Sequence, residues 1–455
     1  MHGRKELLEF ARGLGGIPFF DEPRYRIAYN YDATGRTGRC EGVAFPRSAD
    51  DISTITREAS RLGVPLFLRG AGTGFSGGSV PGGGGVVIST EKMRRVLDFD
   101  ARSRTVEVEA GLVNGDLQEY LGGRGMFYPP DPASFRVSTI GGNIAENAGG
   151  PRAYKYGVTR RWVRRLAWVD SAGEQHRSAF EGAAALLAGS EGTLGTICSA
   201  RLAVLPAPER FVTTLLPAGG DSEALSTAAE LLAEGFTPSV LEFIDSSTMS
   251  CVSGYTGWSP EGEGVSYLFL EVDGRPEEVG MQQSLLLDFC RRRSLEPVTA
   301  HRDEEREALW ELRRSVSPSL ARMGITKINE DVSLPLGELP AAVGRIHGMA
   351  ADLGLDCYIF GHCGDGNLHV NIMTDRRRAE EMARAGLFVE ELFRYVASRR
   401  GTLSGEHGIG VTKSSFLDMV FTPEEMSLQE DLCRSMDPDG TLNPGKYFRS
   451  RAGGR

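Results

Sequence analysis

The chain of 455 residues is longer than one hydrophobic core usually supports, so two or three domains are expected. Its formal net charge of −10 argues against a nucleic-acid partner, because phosphate binding needs clustered Lys and Arg. Hydrophobic residues make up 40% of the chain, as in an ordinary globular protein, and no apolar run approaches the roughly 20 residues of a membrane span.

The seven cysteines form no C-x-x-C pair and no even-numbered framework. Reduced thiols in the cytoplasm are therefore expected, and an iron–sulfur cluster bound by this chain is not. The first 15 residues include several charges and lack the apolar core of a secretory signal, which agrees with a cytoplasmic location. Attachment at a membrane surface through a partner stays open.

The N-terminal part of the chain predicts a helix and then a β-α-β unit. A helix in residues 1–38 would place Leu7, Ala11 and Leu14 on one face, and a polar, Tyr-rich connector follows. Residues 40–45 and 64–68 are typical of buried strands. The helix between them begins with the capping-box spacing of Ser48 and Asp51 and ends at Gly63.

A glycine-rich stretch, R-G-A-G-T-G-F-S-G-G-S-V-P-G-G-G-G at residues 69–85, follows this unit. Gly72, Gly74 and Gly77 match the G-x-G-x-x-G pattern, but in a Rossmann fold a helix opens inside that motif. Pro81 and four consecutive glycines follow here instead, and no stable helix starts there. A loop of bare backbone N–H groups that approach a diphosphate is favoured. A flexible surface loop is the alternative.

Two further loops lie beside predicted strands. The first, F-Y-P-P-D-P-A-S-F-R-V-S-T-I-G-G-N-I-A-E-N-A-G-G, is rich in hydrogen-bonding side chains, and a short helix capped by Asn114 precedes it. The second, G-S-E-G-T-L-G at residues 189–195, leads into a strand over 196–205. Pro206 and Pro208 then mark a domain boundary.

Together the three glycine loops resemble those of the vanillyl-alcohol oxidase (PCMH-type) flavoprotein superfamily, and the resemblance spans residues 40–450. It implies an α+β fold: a PCMH-type FAD-binding domain of two α/β subdomains, an α+β cap domain with an antiparallel sheet, and a C-terminal segment that returns to the FAD domain. The expected divisions are an N-terminal helical segment, the FAD-binding domain, the cap or substrate domain with a metal site, and the C-terminal segment, at 1–38, 39–208, 209–415 and 416–455.

The resemblance also implies where FAD binds. The first loop and the 131–147 segment hold the diphosphate and ring, and the third loop completes the adenine and ribose end. Non-covalent FAD is expected, because no cysteine lies in the three loops and the only histidine of this domain, His176, lies in a hairpin. Asn443 is an expected contact, with a simple turn as the alternative. The expected cofactor-binding residues are Arg69, Gly70, Ala71, Gly72, Thr73, Gly74, Ser76, Gly77, Pro130, Asp131, Ser138, Thr139, Gly142, Asn143, Asn147, Glu191, Gly195, Ile197 and Asn443.

Three of the seven histidines fall in two short motifs, I-F-G-H-C-G-D-G-N-L-H-V-N and S-G-E-H-G-I-G. The first predicts a hairpin that brings His362 and His369 into one coordination sphere, and the second adds Glu406 and His407. Two imidazoles and one carboxylate suit Zn²⁺ or a similar divalent ion with one position open. A core role for the histidine pair and a rival ligand, Cys363, are the alternatives.

These motifs resemble those of the FAD-linked D-2-hydroxy acid dehydrogenases, which include D-lactate dehydrogenases, the glycolate oxidase flavin subunit and D-2-hydroxyglutarate dehydrogenase. The resemblance implies metal binding by His362, His369 and Glu406. It also implies that Arg313 (Arg314 is the alternative) and Lys327 bind the substrate carboxylate. A solvated helix face or a strand edge would explain these cations without substrate. The expected catalytic residues are His407, Arg313, Lys327 and Asn371, with His407 as the base.

The implied reaction is oxidation of a D-2-hydroxy acid of the lactate, glycolate or 2-hydroxyglutarate type to the 2-oxo acid. Metal and guanidinium hold the substrate, His407 removes the hydroxyl proton, and the Cα hydride passes to the flavin N5. The chain lacks cluster ligands and a nicotinamide site, so a quinone, an electron-transfer flavoprotein or an iron–sulfur subunit must accept the electrons. A homodimer stays open.

Two other functions are weighed against this one. An alkyl-transferring flavoenzyme of the ether-lipid synthase type carries consecutive histidines where this chain has S-G-E-H. A non-catalytic flavin-binding subunit of a glycolate or lactate oxidase complex would not need the His and Glu set. Only the segment at 178–188 favours this alternative, because it is shorter than the corresponding segment of related dehydrogenases. The short segment also predicts a more open edge of the flavin pocket.

Overall fold

The computed structural model describes residues 4–259, 262, 264–324 and 326–447; the outer ends of the predicted N- and C-terminal segments, 1–3 and 448–455, lie outside them. The chain forms two compact units. The first consists of Met1–Gly149, Val158–Ala207 and Glu406–Arg455, and the second of Gly150–Gly157 and Pro208–Gly405. Across the described ranges, no helix combines the length and the apolar character needed to cross a lipid bilayer.

Strands form the framework of both units. They are β1 Phe19–Phe20, β2 Cys40–Ala44, β3 Leu66–Arg69, β4 Gly85–Ser89, β5 Val96–Asp100, β6 Thr105–Glu109, β7 Met126–Phe127, β8 Val163–Val169, β9 Gln175–Arg177, β10 Thr196–Ala203, β11 Leu205–Pro206, β12 Arg210–Ala218, β13 Val240–Ile244, β14 Ser266–Gly274, β15 Val298–Ala300, β16 Thr326–Ser333, β17 Asp356–Gly361 and β18 Asn367–Thr374.

Helices connect and cover these strands. They are α1 Arg4–Gly13, α2 Pro23–Arg26, α3 Ala49–Leu62, α4 Asn114–Gly122, α5 Ile140–Glu146, α6 Ala153–Tyr156, α7 Glu181–Leu187, α8 Asp221–Ala233, α9 Ser246–Thr256, α10 Pro276–Arg293, α11 Asp303–Arg314, α12 Val316–Leu320, α13 Leu339–Asp352, α14 Ala379–Ser398, α15 Gly410–Lys413 and α16 Pro423–Met436.

The first unit contains a four-stranded sheet in the order β1-β2-β4-β3 and a five-stranded antiparallel sheet in the order β5-β6-β10-β8-β9. Strands β2, β4 and β3 are parallel, as a β-α-β connection through α3 requires. The hydroxyl of Ser48 accepts a 3.2 Å hydrogen bond from the backbone N–H of Asp51, and Gly63 ends α3 at φ +65°. Both ends of this helix lie where the sequence predicts them.

The short helix α4 differs from its prediction at one end. Its N-cap is Val113, and Asn114 is the first helical residue. The Asn114 side chain is fully buried and donates a 3.1 Å hydrogen bond to the carbonyl oxygen of Pro130. The predicted N-cap role of Asn114 is therefore wrong, because its amide holds the second loop instead of the first turn of the helix.

The second unit is built on a seven-stranded antiparallel sheet in the order β15-β12-β14-β13-β17-β18-β16. The excursion Gly150–Gly157 belongs to this unit because its side chains bind β14. Lys155 Nζ lies 2.5 Å from a carboxylate oxygen of Asp273, and the Tyr156 hydroxyl lies 2.9 Å from both. A buried cluster that includes Leu215, Ile244 and Phe269 packs α9, α11 and α12 against one face of the sheet.

Candidate functional site

The first glycine loop follows β3 directly, and residues 70–84 contain no helix. Gly72 and Gly77 adopt φ +71° and +79°, the left-handed region that favours glycine. A Cβ on Gly70 would collide with the Thr139 hydroxyl, and one on Gly72 would collide with the Arg69 guanidinium. Side chains at these two positions would therefore not fit, and the predicted binding of a diphosphate by the loop backbone stays a prediction.

The second loop ends in the short helix α5, whose N-cap is Thr139. The Thr139 hydroxyl accepts a 3.3 Å hydrogen bond from the N–H of Gly142. Two buried polar atoms flank this cap: Ser138 Oγ and Asn143 Nδ2 find no hydrogen-bond partner among the residues that the structure describes. Buried polar atoms are normally satisfied, so these two fit a polar ligand such as FAD.

The third loop is held by its own buried carboxylate. Glu191, at φ +50°, accepts hydrogen bonds of 2.6 and 2.7 Å from the N–H groups of Ile409 and Gly410. Burial raises the pKa of Glu191. Gly195 lies at φ +156°, where a Cβ would meet the Trp168 side chain, and β10 carries Ile197 away from the loop.

The C-terminal segment connects the first and third loops. The Asn443 amide donates to the carbonyl oxygen of Glu191 and accepts from the N–H of Leu68, at 2.7 and 2.9 Å. Lys446 is 1% exposed, and its Nζ donates to the carbonyl oxygens of Gly77, at 2.7 Å, and Val80. Burial lowers the pKa of Lys446 to about 8.

The remaining residues expected at the cofactor site lie in the same unit. Pro130 accepts from Asn114, as described for α4. Asn147 ends α5 at φ +53°, and its Oδ1 accepts a 2.9 Å hydrogen bond from the N–H of Arg160. The Ser76 hydroxyl lies 3.3 Å from a carboxylate oxygen of Glu146. The other expected residues, placed on the first two loops, are Ala71, Thr73, Gly74 and Asp131.

In the second unit, the predicted hairpin is formed by β17 and β18. Gly366 closes its turn at φ +83°, where a Cβ would collide with the carbonyl oxygen of Leu334. His362 and His369 are each 5% exposed, and their Nε2 atoms face each other at 3.4 Å. Two nitrogens about 2.0–2.1 Å from a tetrahedral zinc ion would be about 3.4 Å apart, so the pair fits a shared metal ion.

A carboxylate that sequence reasoning missed lies behind this pair. Glu242, on β13, is fully buried; its Oε1 is hydrogen-bonded to His362 Nδ1, and its Oε2 accepts from Arg313 Nε at 2.7 Å. Although burial raises the pKa of Glu242, Arg313 and His362 outweigh it and lower the pKa to about 2. The predicted carboxylate anchor, Arg313, is thus ion-paired within the protein.

The paired strands β16 and β18 carry the other predicted catalytic residues of this unit, Lys327 and Asn371. Asn329 Nδ2 donates to Asn371 Oδ1 at 2.6 Å, and Asn371 Nδ2 donates to the carbonyl oxygens of Tyr358 and His369. Lys327 lies two residues before Asn329 on β16, and burial lowers its pKa. The amide network fixes the backbone that carries His369.

Glu406 and His407 begin the last segment of the first unit, whereas the histidine pair belongs to the second. His407 Nε2 lies 3.9 Å from Glu406 Oε1, and its ring packs against Phe75, with centroids 4.9 Å apart. The rival ligand Cys363 is fully buried; its thiol is hydrogen-bonded to the carbonyl oxygen of Leu241 at 3.5 Å, and burial raises its pKa well above the usual range.

Both halves of the chain match known protein families. Residues 207–447 match the family of FAD linked oxidases, C-terminal domain, and residues 40–179 match the FAD binding domain family. Glycolate oxidase subunit GlcD of Bacillus subtilis (strain 168) is 36% identical over 444 residues, covering 95% of this chain and 94% of that protein. D-lactate dehydrogenase of Anaerostipes hadrus is 29% identical, covering 90% of this chain and 89% of that protein.

Among solved structures, p-cresol methylhydroxylase with substrate bound is similar with a TM-score of 0.82. The match covers 99% of both chains at 14% identity, so it shows the fold alone. The fold class implied by the family resemblance, a PCMH-type FAD-binding domain with an α+β cap domain, is confirmed.

Proposed function

Since the chain belongs to the family of FAD-linked oxidases, we propose that it oxidises a D-2-hydroxy acid of the lactate, glycolate or 2-hydroxyglutarate type to the 2-oxo acid. Its relatives are named as a glycolate oxidase subunit and a D-lactate dehydrogenase. FAD, when bound, supplies the acceptor for the hydride that leaves Cα. The buried polar atoms of Ser138 and Asn143 support its place in the first unit.

The observation that carries this proposal is the 3.4 Å separation of His362 Nε2 and His369 Nε2. The bond between His362 Nδ1 and Glu242 favours the neutral tautomer whose Nε2 carries the lone pair that binds a metal ion. Glu406 is the proposed third ligand, on the strength of its motif. A divalent ion at these ligands would acidify a substrate hydroxyl, and zinc suits the donor set.

Arg313 and Lys327 bind the substrate carboxylate in this proposal, and Asn371 is the further catalytic residue. A guanidinium has five N–H donors, so the pairing of Arg313 with Glu242 through Nε and Nη2 does not exhaust it. Burial lowers the pKa of Lys327, and an incoming carboxylate would raise it again. His407 takes the proton of the hydroxyl group, the task of a general base.

The electrons then leave for an acceptor outside the chain. A quinone, an electron-transfer flavoprotein and an iron–sulfur subunit each suit this role, and the name of one relative as an oxidase subunit supports a partner. A non-catalytic subunit of such a complex is the second candidate, and the word subunit in the name of that relative favours it. The ordered histidine pair and its buried carboxylate support the catalytic function over it.

Anaerobic flavin reduction tests the proposal directly. The purified protein, loaded with FAD and zinc, is mixed with D- and L-forms of lactate and 2-hydroxyglutarate and with glycolate, and the flavin absorbance is followed. Bleaching by glycolate or a D-acid, and not by the L-acids, is the expected result. A flavin that stays oxidised with every acid contradicts the proposal and favours the non-catalytic subunit.

A further inference from the structure

Glu242 lies at the centre of the seven-stranded sheet, in a strand otherwise made of Val, Leu, Phe and Ile. It is 0% exposed, and charges in such places are costly unless they are paired and hydrogen-bonded. Its two carboxylate oxygens have different partners. Oε1 is bonded to His362 Nδ1, and Oε2 to Arg313 through Nε and Nη2.

The bond to His362 fixes the tautomer of that ring. A carboxylate accepts hydrogen bonds, so Nδ1 carries a proton, and in the neutral, metal-binding form of the ring Nε2 then keeps its lone pair. That lone pair is on the side of the ring where His369 Nε2 lies 3.4 Å away. Without the carboxylate, the ring could rotate or carry its proton on Nε2, and metal binding would weaken.

The bond to Arg313 fixes the plane of the guanidinium. Nε and Nη2 form one edge of the fork, and this edge faces Glu242 Oε2. The guanidinium carbon also lies 5.1 Å from the ring centre of Phe360, and the side chain is only 12% exposed. Packing and charge together restrict the orientation of the group.

We propose that Glu242 is a positioning residue that holds the ligand nitrogen of His362 and the guanidinium of Arg313 in fixed register with each other. The inference rests on the proposed function. It adds that Glu242 sets the distance between the groups that bind the hydroxyl and the carboxylate of the substrate. A 2-hydroxy acid carries its hydroxyl and carboxylate on adjacent carbons. The groups that bind them must therefore be held to within about 0.5 Å, and one buried carboxylate shared between them achieves this.

The decisive variant is Glu242→Gln. An amide has one acceptor oxygen and one NH₂ group that only donates, so it cannot accept hydrogen bonds at both of the positions that Oε1 and Oε2 occupy. We expect a 10- to 100-fold loss of zinc affinity, measured by chelator competition and elemental analysis, or a rise of at least about 10-fold in KM for the hydroxy acid with a smaller change in kcat. Zinc affinity and KM both at wild-type values would overturn the proposal.

Glu271→Gln is the matched control. Glu271 is also 0% exposed, on the neighbouring strand β14, and its Oε2 accepts from Arg306 and Trp310 at 2.9 and 2.7 Å. This variant should lower the melting temperature while zinc affinity and KM stay unchanged. If Glu271→Gln loses zinc as strongly as Glu242→Gln, the effect is a general loss of buried charge and the proposal fails.

Glu242→Asp keeps the test available if the glutamine variant does not fold. Aspartate retains the charge, but its side chain is shorter by one methylene group. Zinc affinity should therefore fall and KM should rise, each by a smaller factor than in Glu242→Gln. Wild-type values of both would again overturn the proposal. If the wild-type flavin is not reduced by any hydroxy acid, the proposed function fails, whereas the zinc affinity of the variants still reports on the positioning of His362.

Discussion

The side-chain amide of Asn443 donates a 2.7 Å hydrogen bond to the backbone carbonyl oxygen of Glu191, 252 positions earlier in the chain. Its oxygen accepts a 2.9 Å hydrogen bond from the N–H of Leu68 in β3, the strand that leads into the first glycine loop. One side chain, 3% exposed, thus ties together two of the three loops predicted to hold FAD. A flavin contact by the same residue stays a prediction.

Replacing Asn443 should destabilise the first unit. In Asn443→Leu, the N–H of Leu68 and the carbonyl of Glu191 lose their partner, and each unsatisfied buried group costs about 1–3 kcal/mol. Urea unfolding should show this loss, and FAD should dissociate faster. Asn443→Asp keeps the acceptor for Leu68 and should lose less. Equal stability of both variants and the wild type would contradict the role given to this side chain.

The stability of the second unit should depend on pH through His347. Burial alone lowers the pKa of His347, but its hydrogen bonds to Asp221 and Asp245 outweigh burial and raise the pKa from 6.5 to about 12. The folded state therefore holds a proton that the unfolded state releases above pH 6.5, so this stabilisation is complete below pH 6.5 and declines as the pH rises towards 12.

The measurement compares His347→Gln with the wild type in urea at pH 6 and pH 9. The glutamine keeps a hydrogen-bonding group but has no charge at either pH. The stability advantage of the wild type should be larger at pH 6 than at pH 9. An advantage that is equal at the two pH values would show that the imidazolium charge contributes nothing.

FAD should be released when the protein is denatured with acid. The three glycine loops contain no cysteine that could bind the flavin covalently. Two thiols elsewhere in this unit are poor nucleophiles, because burial raises the pKa of Cys40 to about 11 and that of Cys198 to about 12. After acid precipitation, the yellow colour is expected in the supernatant. Colour that remains in the protein pellet would indicate a covalent bond.

The roles proposed for His362 and His407 can be separated by one pair of variants. His362→Ala should lower bound zinc and turnover and leave FAD content near normal, because the glycine loops belong to the other unit. His407→Asn should keep zinc and FAD but slow flavin reduction by about 10²-fold or more, as loss of a general base does. Zinc loss from His407→Asn would identify His407 as a ligand, and the base would have to be another residue.

Local structure could be read from the sequence where single residues decide it. Ser48 and Gly63 bound α3 because a hydroxyl cap and a left-handed glycine act on their own helix. The hairpin that pairs the histidines follows from one short turn between two strands. Asn114 was misassigned because its burial, and hence its bond to Pro130, depends on packing.

Glu242 could not be placed in the site from the sequence, because it lies 120 residues from His362 along the chain. Their contact depends on the pairing of β13 with β17, in which Phe243 is opposite Gly361. The one available signal was chemical: V-L-E-F-I puts a single charge into an apolar strand, and such a charge requires a partner. Which residue becomes that partner depends on the order of the strands in the sheet.

The bond from Lys446 to the carbonyl oxygen of Gly77 spans 369 positions, which bears on how the protein is made. On the ribosome, the first glycine loop emerges long before the lysine that holds it exists. The hydrogen bonds that Lys446 and Asn443 make to the first and third loops can therefore form only after translation has passed these residues. A nascent chain interrupted within α16 would contain every glycine of the three loops and still lack the residues that hold them in place.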